Sequence, residues 1–434
     1  MKTRRDFIKT SALVSGGLMV NPFTLSGAYA APDNHLKLAV IGCGGRGTGA
    51  VFQAFETGHP IKLVAMADAF RDRLDKSYEP IMAKYGAEKV DVPEDRKFVG
   101  FDGYKEAIAL ADVVILATPP GFRPMHFEEA VKQGKQIFME KPVATDAAGI
   151  RRVLAAAEEA KAKKLNVVVG LQRHYQDNYR KTIARIHNGE IGDITGGQVY
   201  WNDGGVWVRE RQPGQTEMEY QMRNWYYFNW LCGDHITEQH VHNIDVANWV
   251  KKGYPVKAEG TGGRLVRTGK DHGEIFDHHV VSFTYEDGAV IHSECRHFPG
   301  AANRVDESFQ GTNGKAYLSA GNYGVLSDWK GNVLYEHDRE NNVNPYQQEH
   351  NELWDALVKG EYKFADAENA AKSTMTSIMG RYATYSGKVI TWDEAINGQV
   401  DLFPETLSWD AMPKILPKED GYYPHAIPGK TKVV

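Results

Sequence analysis

With 434 residues, 42% of them hydrophobic and 25% charged, the chain can bury a sizeable core and is long enough for two domains. A formal charge of −5 argues against nucleic acid as a partner. Three cysteines, Cys43, Cys232 and Cys295, are too few for a disulfide framework or a cysteine-rich metal site.

The N-terminus reads Thr3-Arg4-Arg5-Asp6-Phe7-Ile8-Lys9, then a weakly apolar run from Ser11 to Leu25, then Ala28-Tyr29-Ala30 before Ala31. This resembles a twin-arginine export signal with a small-residue cleavage site; a basic arm on a buried helix is the competing reading. The resemblance makes residues 1–30 a leader and the protein periplasmic or otherwise exported. It also implies export of an already folded chain with its cofactor aboard, which accounts for the lack of disulfide staples. Ser15-Gly16-Gly17 and Pro22 interrupt the run, so it is a poor membrane anchor and no membrane partner is expected. The leader carries +3 (Lys2, Arg4, Arg5 and Lys9 against Asp6), which leaves −8 on the remainder.

Residues 34–172 read as a dinucleotide-binding Rossmann domain. Leu36-Lys37-Leu38-Ala39-Val40-Ile41 is an apolar strand, followed at once by Gly42-Cys43-Gly44-Gly45-Arg46-Gly47 and a helix-like stretch from Thr48 to Glu56. That is G-x-G-x-x-G between strand and helix, as the motif requires. Gly42 permits the tight turn, Gly44 lets backbone approach a pyrophosphate, Gly47 lets helix and strand pack, and the helix N-terminus favours the anion. A second strand, Ile61 to Ala67, ends in Asp68, at the spacing of the acid that holds a ribose hydroxyl pair; an acid there favours NAD over NADP. A helix N-cap is the plainer reading of Asp68. The alternation continues through Ala111 to Ala117 with Thr118-Pro119-Pro120, a helix from Phe127 to Gly134, and Gln136 to Met139 with Glu140-Lys141-Pro142. It ends with a helix from Asp146 to Lys164 and the strand Asn166 to Gly170. Such alternation predicts an α/β, doubly wound parallel sheet with ligands beyond the C-terminal strand ends, where Gly42, Asp68, Thr118 and Lys141 fall.

The glycine loop with Arg46, Ala117-Thr118-Pro119-Pro120 with His126 six residues on, and above all Glu140-Lys141-Pro142 resemble the glucose–fructose oxidoreductase and inositol dehydrogenase (Gfo/Idh/MocA) family, over residues 36 to about 395. The resemblance implies NAD as cofactor, held by Gly42, Gly44, Arg46, Gly47, Asp68, Thr118, Pro119, His126, Glu140 and Lys141. Lys141 then stands beside the nicotinamide and the substrate hydroxyl, and the Lys141-Pro142 bond is cis. Taken without the family, Lys141 is an ordinary strand-end lysine.

Residues 173–434 read as a substrate-binding and oligomerisation α/β domain. After a helix from Tyr179 to Asn188, the segments Gly197 to Trp201, Ala258 to Val266, His279 to Tyr285, Ala289 to Cys295 and Ser308 to Gly311 read as strands, mainly antiparallel. The family implies a large open sheet here, one face often used for oligomer contacts, hence a homodimer or homotetramer. The apolar set Ile236, Ile244, Val246 and Trp249 makes Gly233 to Trp249 a helix, on which His235, Glu238, His242 and Asp245 share one face. Family members show Asp-x-x-x-His-x-x-Asp in this helix. That maps the proton-transfer histidine onto His242 and the first acid onto Glu238; His240 stands where glycine is usual.

Oxidising a secondary alcohol requires a group that takes the hydroxyl proton, and histidine titrates near the working pH. Lys141 then stabilises developing alkoxide character and Glu238 orients His242. His235, Glu238 and His242 also suit zinc or manganese, yet no metal is expected beside the lysine and cofactor motifs; a purely structural set of buried histidines is the blander account. Among the aromatics between Tyr200 and Trp230, Trp225 and Tyr226 are expected to line a sugar pocket with Arg173 and His240; Arg223, Asn224, Asn229 and Arg381 are further candidates, and core packing competes for any single ring. The expected function is oxidation of a secondary hydroxyl of a sugar or glycoside by tightly held NAD(H). The alternatives are an NAD-dependent glycosidase working by C3 oxidation, elimination, hydration and re-reduction, and a sugar-binding protein with vestigial catalysis.

Overall fold

The computed structural model describes residues 35–340 and 343–434; the leader read at residues 1–30 lies outside the described residues. Leu36–Ile41 (β1), Ile61–Asp68 (β2), Lys97–Val99 (β3), Val113–Leu116 (β4), Gln136–Met139 (β5) and Val167–Val169 (β6) form one sheet in the order β3-β2-β1-β4-β5-β6. Every neighbouring pair is parallel. The central strands are near-continuous apolar runs because helices cover both faces: Leu38, Ala39 and Val40, like Val113 to Leu116, are fully buried. The strand order reverses between β1 and β4, which opens a crevice at their C-terminal ends.

Ile194–Asp203 (β7), Lys257–Gly263 (β8), His278–Thr284 (β9), Val290–His297 (β10), Arg304–Gly311 (β11), Gly314–Ser319 (β12), Tyr323–Asp328 (β13), Val333–Glu336 (β14) and Ile390–Thr391 (β15) form the second sheet. Its order is β14-β13-β12-β11-β7-β10-β9-β8-β15, antiparallel except where β10 runs parallel to β7. Burial alternates along β9 and β10, so one face is packed and the other open. The packed face carries the helices Val241–Lys251 and Ala367–Ser386, the latter buried along almost its whole length.

The two halves interlock. The helix Pro345–Val358 returns from the second half, and its Leu353, Trp354 and Leu357 join the apolar cluster of Leu38, Val40 and Val168. A single parallel bridge then joins Ala365 to Val167. A division at residue 172 therefore separates the two sheets but not their cores. Residues 399–434 contain no helix or strand and lay Phe403, Trp409 and Tyr423 against an aromatic cluster around Trp230. Cys43, Cys232 and Cys295 are buried free thiols. Among the described residues no helix is long and apolar enough to cross a membrane.

Candidate active site

A cleft of about 600 Å³ runs between the two sheets, within the usual range for small-molecule sites. One wall is the strand-end loops of the first sheet. Gly42 has φ +95°, and a Cβ there would lie 2.5 Å from the carbonyl carbon of Ala117. A Cβ on Gly47 would meet the Gly42 oxygen at 1.9 Å. These two glycines are demanded by the protein's own packing. Gly44 differs: it lines the cleft, and a Cβ there would meet nothing within 4 Å. Its lack of a side chain leaves open the space that a pyrophosphate at the helix N-terminus needs, so the loop fits a dinucleotide.

The remaining first-wall residues are tied to one another. Asp68 accepts the Cys43 N–H at 2.7 Å and the Phe70 N–H at 2.9 Å, so it braces the glycine loop as well as facing the cleft. Burial raises its carboxyl, against those two hydrogen bonds. Thr118 and His126 are joined at 3.1 Å, and burial beside Arg123 takes His126 down to about 3, so its ring is neutral. Arg46 grips Glu140 through Nε at 2.9 Å and Nη2 at 2.5 Å, and stacks on the Tyr346 ring at 4.6 Å. Behind this pair Glu349 is fully buried, pushed well above the carboxylate range by burial and by the charge of Glu140. Pro119 also lines the cleft, and the Lys141-Pro142 bond is cis.

The opposite wall corrects one expectation. Residues 233–249 do not form one helix but two, His235–Glu238 and Val241–Lys251. At the junction His240 N–H reaches back to the His235 carbonyl, a wider turn than an α-helix makes, and His242 N–H bonds the Gln239 carbonyl only at 3.5 Å. The break frees the Glu238 carbonyl, which accepts the Lys141 ammonium at 2.5 Å, with the Glu238 carboxylate 3.5 Å from the same nitrogen. Lys141, Glu238 and His242 thus line one cleft. His242 stacks on Trp201 at 5.9 Å, and its Nδ1 is sealed without a partner, so the cleft meets the other edge of the ring. Burial, then the charge of Lys141, hold this imidazole well below its ordinary range.

The break also disperses the shared face. His235 turns inward to Asp234 at 2.8 Å, and Asp245 bonds His174 at 2.6 Å and Ser373 at 2.7 Å. His235, Glu238 and His242 therefore do not converge as a ligand set. Asp234, His235 and His279 do bring three ligand-type atoms within 4.8 Å of one another. However, the Asp234 oxygens already accept His235 N–H, Phe276 N–H and the Tyr385 hydroxyl, and the Arg267 guanidinium lies 3.4 Å from His235. A cation there would face a fixed positive charge.

Of the residues expected around a sugar, Trp225 lines the cleft. The other three do not. Arg173 is sunk beneath it in a 2.5 Å ion pair with Glu307, His240 bonds Ser293 at 2.8 Å from a fully buried position, and Tyr226 is buried with its hydroxyl on Gln239 at 3.1 Å. Each of these side chains has a partner that draws it inward. Asn224 and Asn229 likewise bond Asp271 and Tyr385, and Arg381 holds the Thr145 carbonyl. Arg223 does face the cleft, paired with Asp72 at 2.8 Å and stacked 3.7 Å over Phe70.

Two domain families match the sequence: an oxidoreductase family with an NAD-binding Rossmann fold over residues 36–169, and the GFO/IDH/MocA C-terminal domain over residues 179–317. The chain belongs to the Gfo/Idh/MocA family. It is 26% identical over 249 residues to inositol 2-dehydrogenase of Rhizobium meliloti, a match spanning 56% of this chain and 64% of that protein. With inositol 2-dehydrogenase of Klebsiella pneumoniae the identity is 27% over 323 residues, 70% of this chain and 83% of the relative. The fold resembles that of aldose-aldose oxidoreductase from Caulobacter crescentus, with a TM-score of 0.63 at 16% identity, covering 82% of this chain and 99% of that one.

Several cleft residues of this Gfo/Idh/MocA chain carry no local sequence signal. Phe70, Arg73 and Phe101 follow strand ends, Arg209 comes from an irregular loop, and Tyr346 arrives from a helix some 300 residues after the Arg46 it stacks on. Gln239 lies inside the segment read as a continuous helix, where only the break turns it toward the cleft.

Proposed function

We propose that this chain is an exported NAD(H)-dependent oxidoreductase acting on a secondary hydroxyl of a sugar, polyol or glycoside. The observation that carries the reading is the meeting of Lys141, from the end of β5, with Glu238 and His242 in one cleft below the glycine loop. Bound NAD would supply the hydride acceptor, held by the Gly42–Gly47 loop, Asp68 and the residues around Thr118 and Glu140. The substrate C–H bond breaks with both electrons leaving as hydride, and the O–H proton passes to the cleft-facing nitrogen of His242. Burial and Lys141 keep His242 in the neutral form, whose cleft-facing nitrogen has a lone pair for that proton. The Lys141 ammonium hydrogen-bonds the same oxygen and stabilises the negative charge that develops. Glu238 fixes Lys141 through its carbonyl and carboxylate. Trp225 and Trp201 offer flat apolar surface to sugar C–H faces. The open face of the second sheet suits self-association as a homodimer or homotetramer.

The test is to purify the exported protein, identify its released cofactor by ultraviolet spectrum and mass, and follow a sugar and polyol panel at the nicotinamide absorbance. A keto product is expected, and Lys141→Ala and His242→Ala should each lower turnover by about 10²- to 10⁴-fold. Unchanged turnover in both variants would overturn the assigned roles. Release of an aryl alcohol from aryl glycosides without net NADH would move the protein to the glycosidase chemistry.

A further inference from the structure

Gln239 stands in the gap between the two helices, lines the cleft, and follows directly on Glu238, whose carbonyl and carboxylate both lie at the Lys141 ammonium. Its side-chain oxygen has two partners on the inner side: Nε2 of His297 at 2.7 Å and the Tyr226 hydroxyl at 3.1 Å. An amide can be turned either way, so the network behind it must decide. The Arg267 guanidinium, which can only donate, bonds Nδ1 of His297, and Arg267 is itself held by the Phe276 carbonyl at 2.6 Å. Nδ1 is therefore an acceptor, and the ring carries its proton on Nε2. Burial and the charges of His235 and Arg267 keep that ring neutral.

An Nε2–H needs an acceptor. The Asp203 carboxylate is 3.3 Å away, whereas the Gln239 oxygen is at 2.7 Å. The Tyr226 phenol, raised well above its ordinary range by burial and by the charge of Glu238, keeps its proton and shares it between the Gln239 oxygen at 3.1 Å and Glu238. The His297 Nε2–H at 2.7 Å therefore fixes the Gln239 oxygen on the inner side. The amide nitrogen, with two N–H groups, is thereby turned from the buried network toward the cleft.

We infer that Gln239 is a specificity-determining residue whose amide donates to a substrate oxygen next to the one on which Lys141 and His242 act. The inference rests on the hydride-transfer reading above and narrows its substrate class. The site takes molecules with oxygens on adjacent carbons, such as sugars, glycosides and cyclitols, and rejects an isolated secondary alcohol. Because the amide is locked from behind, it cannot turn to offer its oxygen to an analogue of opposite polarity, and deoxygenation leaves the N–H groups unpaired.

The experiment uses the full-length holoprotein with myo-inositol, methyl β-D-glucopyranoside, their monodeoxy analogues and propan-2-ol, comparing wild type with Gln239→Leu and the nearly isosteric Gln239→Glu. In the wild type, removing one hydroxyl vicinal to the oxidised carbon should lower kcat/KM by about tenfold. In Gln239→Leu that penalty should vanish while penalties at other positions persist, with the change mainly in KM. Gln239→Glu, which keeps acceptors for His297 and Tyr226 but presents no N–H, should behave like the leucine variant. Equal penalties in all three proteins overturn the inference and leave the dehydrogenase reading standing. If no compound is turned over, that reading fails, and the same cycle is read as binding by quenching of the cleft tryptophans. Disappearance of the position-specific affinity penalty in both variants then upholds Gln239 as the donor, and equal penalties in all three proteins or no binding overturn it.

Discussion

The two walls of the cleft are built by different means. The first is made of backbone: Gly42, Gly44 and Gly47 lie within six residues, and Asp68 fastens their loop through the Cys43 N–H. The second is made of side chains collected from distant chain segments, with Lys141, Tyr226, Arg267 and His297 fixing Glu238 and Gln239. A backbone wall rejects an added atom where its glycines are packed, at Gly42 and Gly47, whereas a side-chain wall fails through lost partners. Gly47→Ala is the largest effect expected, since its Cβ would sit 1.9 Å from the Gly42 oxygen and the loop must move. The purified variant should lack bound cofactor and melt lower than wild type. Gly44→Ala sharpens the contrast: with nothing within 4 Å of the new methyl, the melting temperature should hold while cofactor retention falls. Equal melting losses in both variants would dissolve the distinction.

The second wall should break at its buried charges. Arg173 and Glu307 are paired at 2.5 Å with almost no exposure, and Asn243 and Tyr179 complete the carboxylate's partners. Arg173→Leu leaves Glu307 facing only neutral donors and should cost about 3–5 kcal/mol in denaturant unfolding. Because Arg173 lies beneath the cleft, the order of preference among sugars should not change; a reordered preference would return it to the substrate surface.

The same contrast explains how much of the fold and the site is legible in the sequence. The parallel sheet, the glycine loop and Lys141 were legible because a strand, its loop and its helix are contiguous, and each glycine answers to a local geometric demand. Lys141 needed the whole Glu140-Lys141-Pro142 motif, since a strand-end lysine alone is unremarkable. In the second half, apolar spacing from Ile236 to Trp249 suggested one helix. Spacing does not register that the Glu238 carbonyl is released to an ammonium arriving from residue 141. Arg173, Tyr226 and His240 carry chemistry suited to sugars, but Glu307, Gln239 and Ser293 claim them from elsewhere in the chain. A polar side chain in a core-rich segment has no sequence mark to distinguish a buried partner from a ligand.

Proton chemistry gives a finer probe of the second wall. His242 is held below the ordinary histidine value by burial first and by Lys141 next. Its working form is the neutral ring, so the acid limb of kcat/KM should lie below the ordinary value of about 6.5. Lys141→Met removes the neighbouring positive charge and should move that limb upward in whatever activity remains. A limb that stays in place would mean that the cleft histidine and the lysine do not sense each other.

The smallest effect lies where the two halves interlock. His350, on the helix that returns to the first sheet, is fully buried against Phe138 at 4.3 Å, and neither ring nitrogen has a hydrogen-bond partner. Burial, and then Arg46, lower it to about 3. Between that value and about 6.5 the unfolded chain binds a proton that the folded chain refuses, so stability is full above this window and declines as pH falls through it. One such group contributes a slope of about 1.4 kcal/mol per pH unit. His350→Phe fills similar space without polar atoms. It should leave stability at pH 8 unchanged or raised by about 1 kcal/mol, and flatten the acid decline by that slope. Urea unfolding at pH 8 and pH 5 measures both quantities, and an unaltered decline would show that His350 does not hold its ring neutral in the folded state.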